Sequence, residues 1–388
     1  MDIVCYGIRR KGSTLARGVV VAATSIILGA WASGCNESTD IHPVDLVVLW
    51  HTQTAATRDS YFYGTPAVDN GMVFVEDGNT VLALDAATGT KRWARPVRIS
   101  PVPAASALLA RDGVVYVSEV DSVLAMRESD GSTIWNFHPD SQAVVFPSMD
   151  DRALYTGQRG IPFVYALSLT DGHQLWKVNI GAGWTYPGFV NGTAVSGDTV
   201  YVAGRKFLAQ NGYIIKGIVV ALDRRDGHEF WRYETAGEHG GLEEAPVVAG
   251  NLIVASDLRG NAIFAYDRFA LREVWRVKNV DNGPLTPPVV VGNDVYSGSA
   301  DTYLYAIDLQ SGSIKWRQAL GASIAGTGYC GGQVFVQDAM VQRRDPQHDG
   351  AYTGALNSGT FAFTSNFAAN GNIIYFAGED GVYAIRCS

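Results

Sequence analysis

Three kinds of residue in this 388-residue chain could do chemistry: cysteines, histidines near carboxylates, and aromatic residues near arginine. His239 is the histidine best placed for metal or acid–base work. It lies in "GEHGGLEE", flanked by Glu238, Glu243 and Glu244, and an imidazole among carboxylates can move protons or ligate a cation. The glycines around it point instead to a polar loop, which is the better reading. His173 and His228 occupy the turns "TDGHQLW" and "RDGHEFW", one repeated and solvated position. No Cys-x-x-Cys or His-x-x-His spacing marks zinc, no Gly-x-Ser-x-Gly elbow marks a nucleophile, and no EF-hand loop marks calcium. We therefore expect no catalytic, cofactor-binding or metal-ligating residue. Cys330 and Cys387 leave two readings open, a disulfide or two separately buried thiols.

A different chemistry, protein docking, is suggested by Trp184, Tyr186, Arg205, Phe207, His239, Glu243 and Glu244. Aromatic residues and arginine beside carboxylates are the usual makings of a binding hot spot. They fall in "GAGWTYPGFVNG" (181–192), "GRKFLAQNGYIIKG" (204–217) and "TAGEHGGLEEAP" (235–246). The competing reading is that Trp184 merely packs under the longer loop. These segments interrupt an internal repeat, and the repeat must position them.

The phrase "VLALDAATGTKRW" (81–93) returns as "VLAMRESDGSTIW" (123–135), "VYALSLTDGHQLW" (164–176) and "LYAIDLQSGSIKW" (304–316). Aligned on the small residue, the copies fall at Ala83, Ala125, Ala166, Ala221, Ala265, Ala306 and Ala384, with gaps of 42, 41, 55, 44, 41 and 78. The last gap is close to twice the others, so one degenerate copy belongs in it, and "QVFVQDAMVQRRD" (333–345) fills the place. Eight units of about 42 residues follow, each reading as four short strands between turn signals such as Asp171-Gly172. A four-stranded sheet with two apolar faces must be covered on both, and a ring of such sheets does so.

The expected fold is all-β, an eight-bladed β-propeller of four-stranded antiparallel blades. Trp93, Trp135, Trp176, Trp231, Trp275 and Trp316 close six repeats, and Trp50 lacks a repeat before it. The chain ends at "VYAIRCS", a repeat with no tryptophan strand after it. The N-terminal strand should therefore complete the C-terminal blade and close the ring. All seven tryptophans read as structural inter-blade residues, each burying up to ~200 Å2 with its N–H reaching a partner across the gap. The stretch 342–359 reads as a further irregular region.

The first 34 residues are an address. A basic head with Arg9, Arg10, Lys11 and Arg17 precedes the apolar "GVVVAATSIILGAW" and then "ASGC", ending at Cys35. Small residues before a cysteine resemble the lipobox of bacterial lipoproteins, with Ala32 in place of the usual leucine. That resemblance implies a signal peptide at 1–34 and lipid attachment at Cys35; a tether at 35–44 then leads to the propeller that the repeats place at 45–388. Asn36 leans toward outer-membrane sorting. A formal net charge of −8 and the lack of a dense basic run argue against nucleic acid as a partner.

"ALDAATGTKRW" resembles the tryptophan-docking repeat of quinoprotein (PQQ-type) propellers. The adjacent cysteine pair of the quinone-binding members is missing here, so PQQ and calcium are not expected. Size, lipobox and blade number together resemble the BamB family of outer-membrane assembly lipoproteins. Membership implies a non-enzymatic scaffold at the periplasmic face of the bacterial outer membrane, held by its lipid and gripping a β-barrel assembly subunit through two successive inter-blade loops. Glu243 and Glu244 match the acidic loop of that family. Trp184 and Tyr186 stand where the other loop presents leucine and arginine, and Arg205 would supply the missing cation. The alternatives are a PQQ-dependent sugar or alcohol oxidoreductase using the central funnel, and an envelope protein binding an unknown ligand.

Overall fold

The computed structural model describes residues 45–388 except 55–63, 99–107, 140–143, 159, 187, 209–213, 237–239, 258–259, 279–285, 300, 323, 325, 339, 357–365 and 379. The expected leader and the expected tether, with Cys35, and also His239 lie outside the described residues. The chain forms eight blades of four antiparallel strands. Blade 1 runs Ala67–Asp69, Met72–Glu76, Thr80–Asp85 and Lys91–Pro96, and its middle strands are apolar on both faces. Val73, Val75, Leu82 and Leu84 pack toward blade 8, while Phe74, Val81 and Ala83 pack toward blade 2. The buried side chains thus gather into one apolar layer at each junction between neighbouring blades, which is what alternation on a two-sided sheet dictates.

Six of the eight junctions are latched in one way. The alanine of the third strand pairs with the tryptophan of the fourth, as in Ala83↔Trp93 and Ala125↔Trp135, and the register slips by one residue just beyond. Such a bulge bends the outer strand. The indole N–H then donates to a carbonyl in the next blade: Trp50 to Ala86 (2.9 Å), Trp93 to Glu128 (2.6 Å), Trp135 to Leu169 (3.0 Å), Trp176 to Arg224 (2.9 Å), Trp275 to Leu309 (2.8 Å) and Trp316 to Pro346 (3.3 Å). The ring lies on a turn glycine of that blade. At Gly172, with φ +72°, a Cβ would come within 2.5 Å of Trp135. Blade 5 departs from this rule. Leu271 occupies the glycine position at φ +54°, and Trp231 packs on Tyr266, ring centroids 5.3 Å apart.

The ring closes as expected. Val48–Gln53 pairs antiparallel with Gly381–Arg386, placing Trp50 opposite Ala384 as the fourth strand of blade 8. The degenerate repeat is a full blade 7, with strands Gly326–Cys330, Gln333–Gln337, Val341–Asp345 and Ala351–Leu356. Residues 342–356, which the sequence suggests are irregular, are therefore ordered, with a 3-10 turn at Pro346–His348. Arg343 takes the alanine position and Gly354 the tryptophan position. The gap of 55 residues is a lengthened blade 4, whose first three strands, Gly188–Ser196, Thr199–Phe207 and Ile215–Asp223, have nine residues each. A single parallel bridge, Phe146↔Gly192, joins blades 3 and 4 into one eight-stranded sheet, which the sequence did not suggest.

Two opposite stability changes follow. Trp135→Ala empties a buried latch and should cost about 3–5 kcal/mol in denaturant unfolding. Leu271→Gly removes a left-handed leucine and should stabilise by about 1 kcal/mol, because strain relief outweighs the entropy of glycine. Equal destabilisation by both would contradict the latch geometry.

Candidate functional site

The lengthened blade 4 builds the docking candidate. Phe189 and Arg205 are opposite one another on adjacent strands, and Phe207 is two residues beyond on the same face. The Arg205 guanidinium stands 4.6 Å from the Phe189 ring centre and 5.8 Å from that of Phe207, and the two rings meet edge to face at 5.3 Å. Glu243, from the loop entering blade 5, pairs with Arg205, and each side chain is only 14% exposed. Lys206 bonds Glu234 (2.9 Å) and Lys216 lies 3.5 Å from the same carboxylate. Burial raises the Glu234 pKa, but these two lysines outweigh it and hold the group below its usual value.

Trp184 lies against Gly188, where a Cβ would come within 2.2 Å of its ring, and joins the apolar layer between blades 3 and 4. Lys206 Nζ stands 5.7 Å from its ring. Packing beneath the longer strands and bordering the Arg205 cluster are therefore both true of Trp184. Tyr186 is half-buried two residues further on, and Glu244 is half-buried beside Glu243. The structure thus brings Trp184, Arg205, Phe207 and Glu243 to one place. His173 and His228 are exposed turn residues, the former bonded to Asp171 at 2.6 Å.

Buried carboxylates at the ends of second strands escaped the sequence reading, and they are clamps. Each accepts an N–H from the loop entering its blade: Glu76 from Gly64 (3.2 Å), Glu119 from Arg98 (3.0 Å), Asp257 from Gly241 (2.8 Å) and Asp338 from Gly321 (3.1 Å). Asp257, 1% exposed, also binds Arg276 at 3.0 Å. With Asn191, which donates to Leu242 O at 2.6 Å, it fixes the loop that carries Glu243. These four carboxylates are committed to backbone amides, and Cys330 and Cys387 are bonded to each other across a blade junction. Among the described residues no group of three or more His, Cys, Asp or Glu side chains is arranged to hold a metal ion.

A second concavity was also missed. Between the outer turns of blades 1 and 2 lies a pocket of about 690 Å3 lined by Met72, Asp85, Arg92, Arg127, Glu128 and Ile134. Glu128 is 4% exposed, and its carboxylate accepts from Asn70 at 3.1 Å. Burial, and after it the Asp69 and Asp112 carboxylates, push it up to about 7. The signal was a charged residue in "MRESDG" where the matching repeats carry Ala86, Leu169 and Leu309.

An all-β ring of eight four-stranded blades latched by tryptophan defines the class, a PQQ-like β-propeller. The family profile described as "Outer membrane protein assembly factor BamB" matches residues 47–161, 162–286 and 263–381, so the chain belongs to that family. It is 25% identical to the BamB of Moranella endobia over 286 residues, covering 67% of this chain and 68% of the relative. It is also 23% identical to the tetrathionate hydrolase of Acidithiobacillus ferrooxidans over 343 residues, 73% of this chain, and spans 64% of that protein's length. The fold is shared with BamB of Moraxella catarrhalis (TM-score 0.66, 16% identity, 88% of this chain and 97% of that one). It is shared as well with the quinohemoprotein alcohol dehydrogenase of Comamonas testosteroni (TM-score 0.68, 14% identity, 88% and 76%).

Because its folded pKa is raised, Glu128 weakens the fold as it ionises. Its stability contribution is intact below pH about 4.5, declines as pH rises to about 7, and stays low above that. Glu128→Gln should therefore raise Tm by a few degrees at pH 8 and leave it unchanged at pH 4, as read by calorimetry at both values.

Proposed function

We propose that this protein is a non-enzymatic envelope scaffold, anchored through Cys35 at the periplasmic face of the outer membrane, that binds a subunit of the β-barrel assembly machinery. The observation that carries this reading is the convergence of Arg205, Phe189, Phe207 and Trp184 from lengthened blade 4 with Glu243 from the next inter-blade loop. The family membership supports it. Arg205 and Glu243 neutralise each other rather than facing a reacting atom, which leaves an aromatic cluster bordered by Lys206 and its partner Glu234. Such a surface suits docking, with the paired charges fixing register and the aromatic groups supplying area.

Cross-linking in intact envelopes of the native host tests the partner. The wild-type chain should capture a barrel-assembly subunit, and Glu243→Lys with Glu244→Lys should reduce capture by on the order of tenfold. Undiminished capture, or capture of unrelated proteins only, would reject the assignment. Cys35→Ala should move the protein from the membrane to the soluble periplasmic fraction. The sequence relation to tetrathionate hydrolase supports a second reading, an enzyme. Turnover of tetrathionate by the pure protein, or a bound chromophore on adding PQQ and calcium, would displace the scaffold.

A further inference from the structure

Blade 7 carries no tryptophan at the latch position. Its fourth strand presents Gly354 where the tryptophan belongs, so no indole reaches from blade 7 into blade 8. The acceptor is nevertheless in place. Cys387 follows the third strand of blade 8 as Ala86 follows that of blade 1. Its N–H bonds Asn372 O at 3.0 Å, as Ala86 N–H bonds Gly71 O at 2.8 Å. Three groups occupy the space between. Arg343 Nη1 points at Cys387 O from 3.5 Å, a long contact compared with the indole bonds. Leu46 packs into the apolar layer of this junction and donates to Ala355 O at 3.4 Å. Finally, Cys330, at the end of the first strand of blade 7, is bonded to Cys387, with Cα atoms 5.6 Å apart.

We propose that the Cys330–Cys387 disulfide is the substitute latch of the ring, making its cohesion at the junction of blades 7 and 8 dependent on oxidation. The bond ties residue 387, at the end of the last strand, to the neighbouring blade, across the junction whose tryptophan position is held by Gly354. Both cysteines are buried, at 4% and 0% exposure, so a reductant reaches the sulfurs only when this junction opens. A dithiol supplies the two electrons and two protons that convert the cystine to two thiols, and itself closes to a disulfide. In the reduced protein the contacts that remain across the junction among the described residues include those of Arg343 and Leu46, the apolar layer, and Cys330 Sγ, 3.6 Å from Gly371 O. The other seven junctions contain no cysteine among the described residues and are indifferent to redox state.

Hydrogen exchange and calorimetry on the full-length protein, oxidised and dithiothreitol-reduced, test the proposal. Reduction should lower Tm by about 5 °C. It should also accelerate amide exchange at least tenfold in Gly326–Cys330, Ala351–Leu356 and Gly381–Arg386, with blades 2 to 5 unchanged. Cys330→Ser with Cys387→Ser should reproduce that pattern without reductant. Adding Arg343→Ala and Gly354→Trp to the cysteine-free chain, to restore an indole donor opposite residue 387, should recover at least half of the lost Tm. Unchanged exchange at the junction on reduction, or acceleration spread evenly over all blades, would overturn the proposal. A folded tryptophan variant that recovers nothing would overturn the equivalence of disulfide and indole.

Discussion

A buried indole N–H must have an acceptor, and at six junctions it finds the carbonyl just past the third strand of the next blade. The same ring covers a turn glycine, so the hydrogen bond and the packing are set by a single side chain. Several sequence constraints follow from this contact. The pairing residue on the third strand must be small, the bulge must follow it, and the turn must tolerate a left-handed residue. The alanine, tryptophan and glycine spacing is the chemical record of one inter-blade contact repeated around a circle.

Charge plays two separate parts on this frame. Inside, carboxylates at the second-strand ends hold the incoming loops by their backbone amides, which turns irregular segments into fixed ones. Asp257 is the clearest case, gripping Gly241 and Arg276 together. Outside, charge is paired across loops, as between Arg205 and Glu243. The loop that carries Glu243 is thus held from within, by a buried acid on its backbone. At Glu128 a buried acid has no such cationic support, and the environment answers by favouring its proton.

The ring, its blade number and its closure were legible because they rest on local spacing: alanine to tryptophan within a repeat and one repeat to the next. The hidden blade was countable for the same reason, since a gap of twice the period survives the loss of its markers. What replaced those markers was not legible. Arg343 and Gly354 hold their positions through strand register, which no short motif encodes. The parallel bridge between Phe146 and Gly192 joins strands of different blades, which no local spacing encodes. The convergence of Arg205 with Glu243 was readable as a shared face, but their mutual pairing, which changes what the cluster can do, needed geometry.

The closing strand adds a matter of timing. Trp50 bonds a carbonyl only 36 residues away, a contact available early in synthesis. Its sheet partners come last: Trp50 pairs with Ala384 and His51 with Tyr383, on the last strand of the ring. Until the carboxyl-terminal segment emerges, an unpaired edge waits at the amino-terminal flank of a nearly finished toroid. That interval exposes the chain to intermolecular strand exchange, and it lengthens with every residue that translation must still deliver.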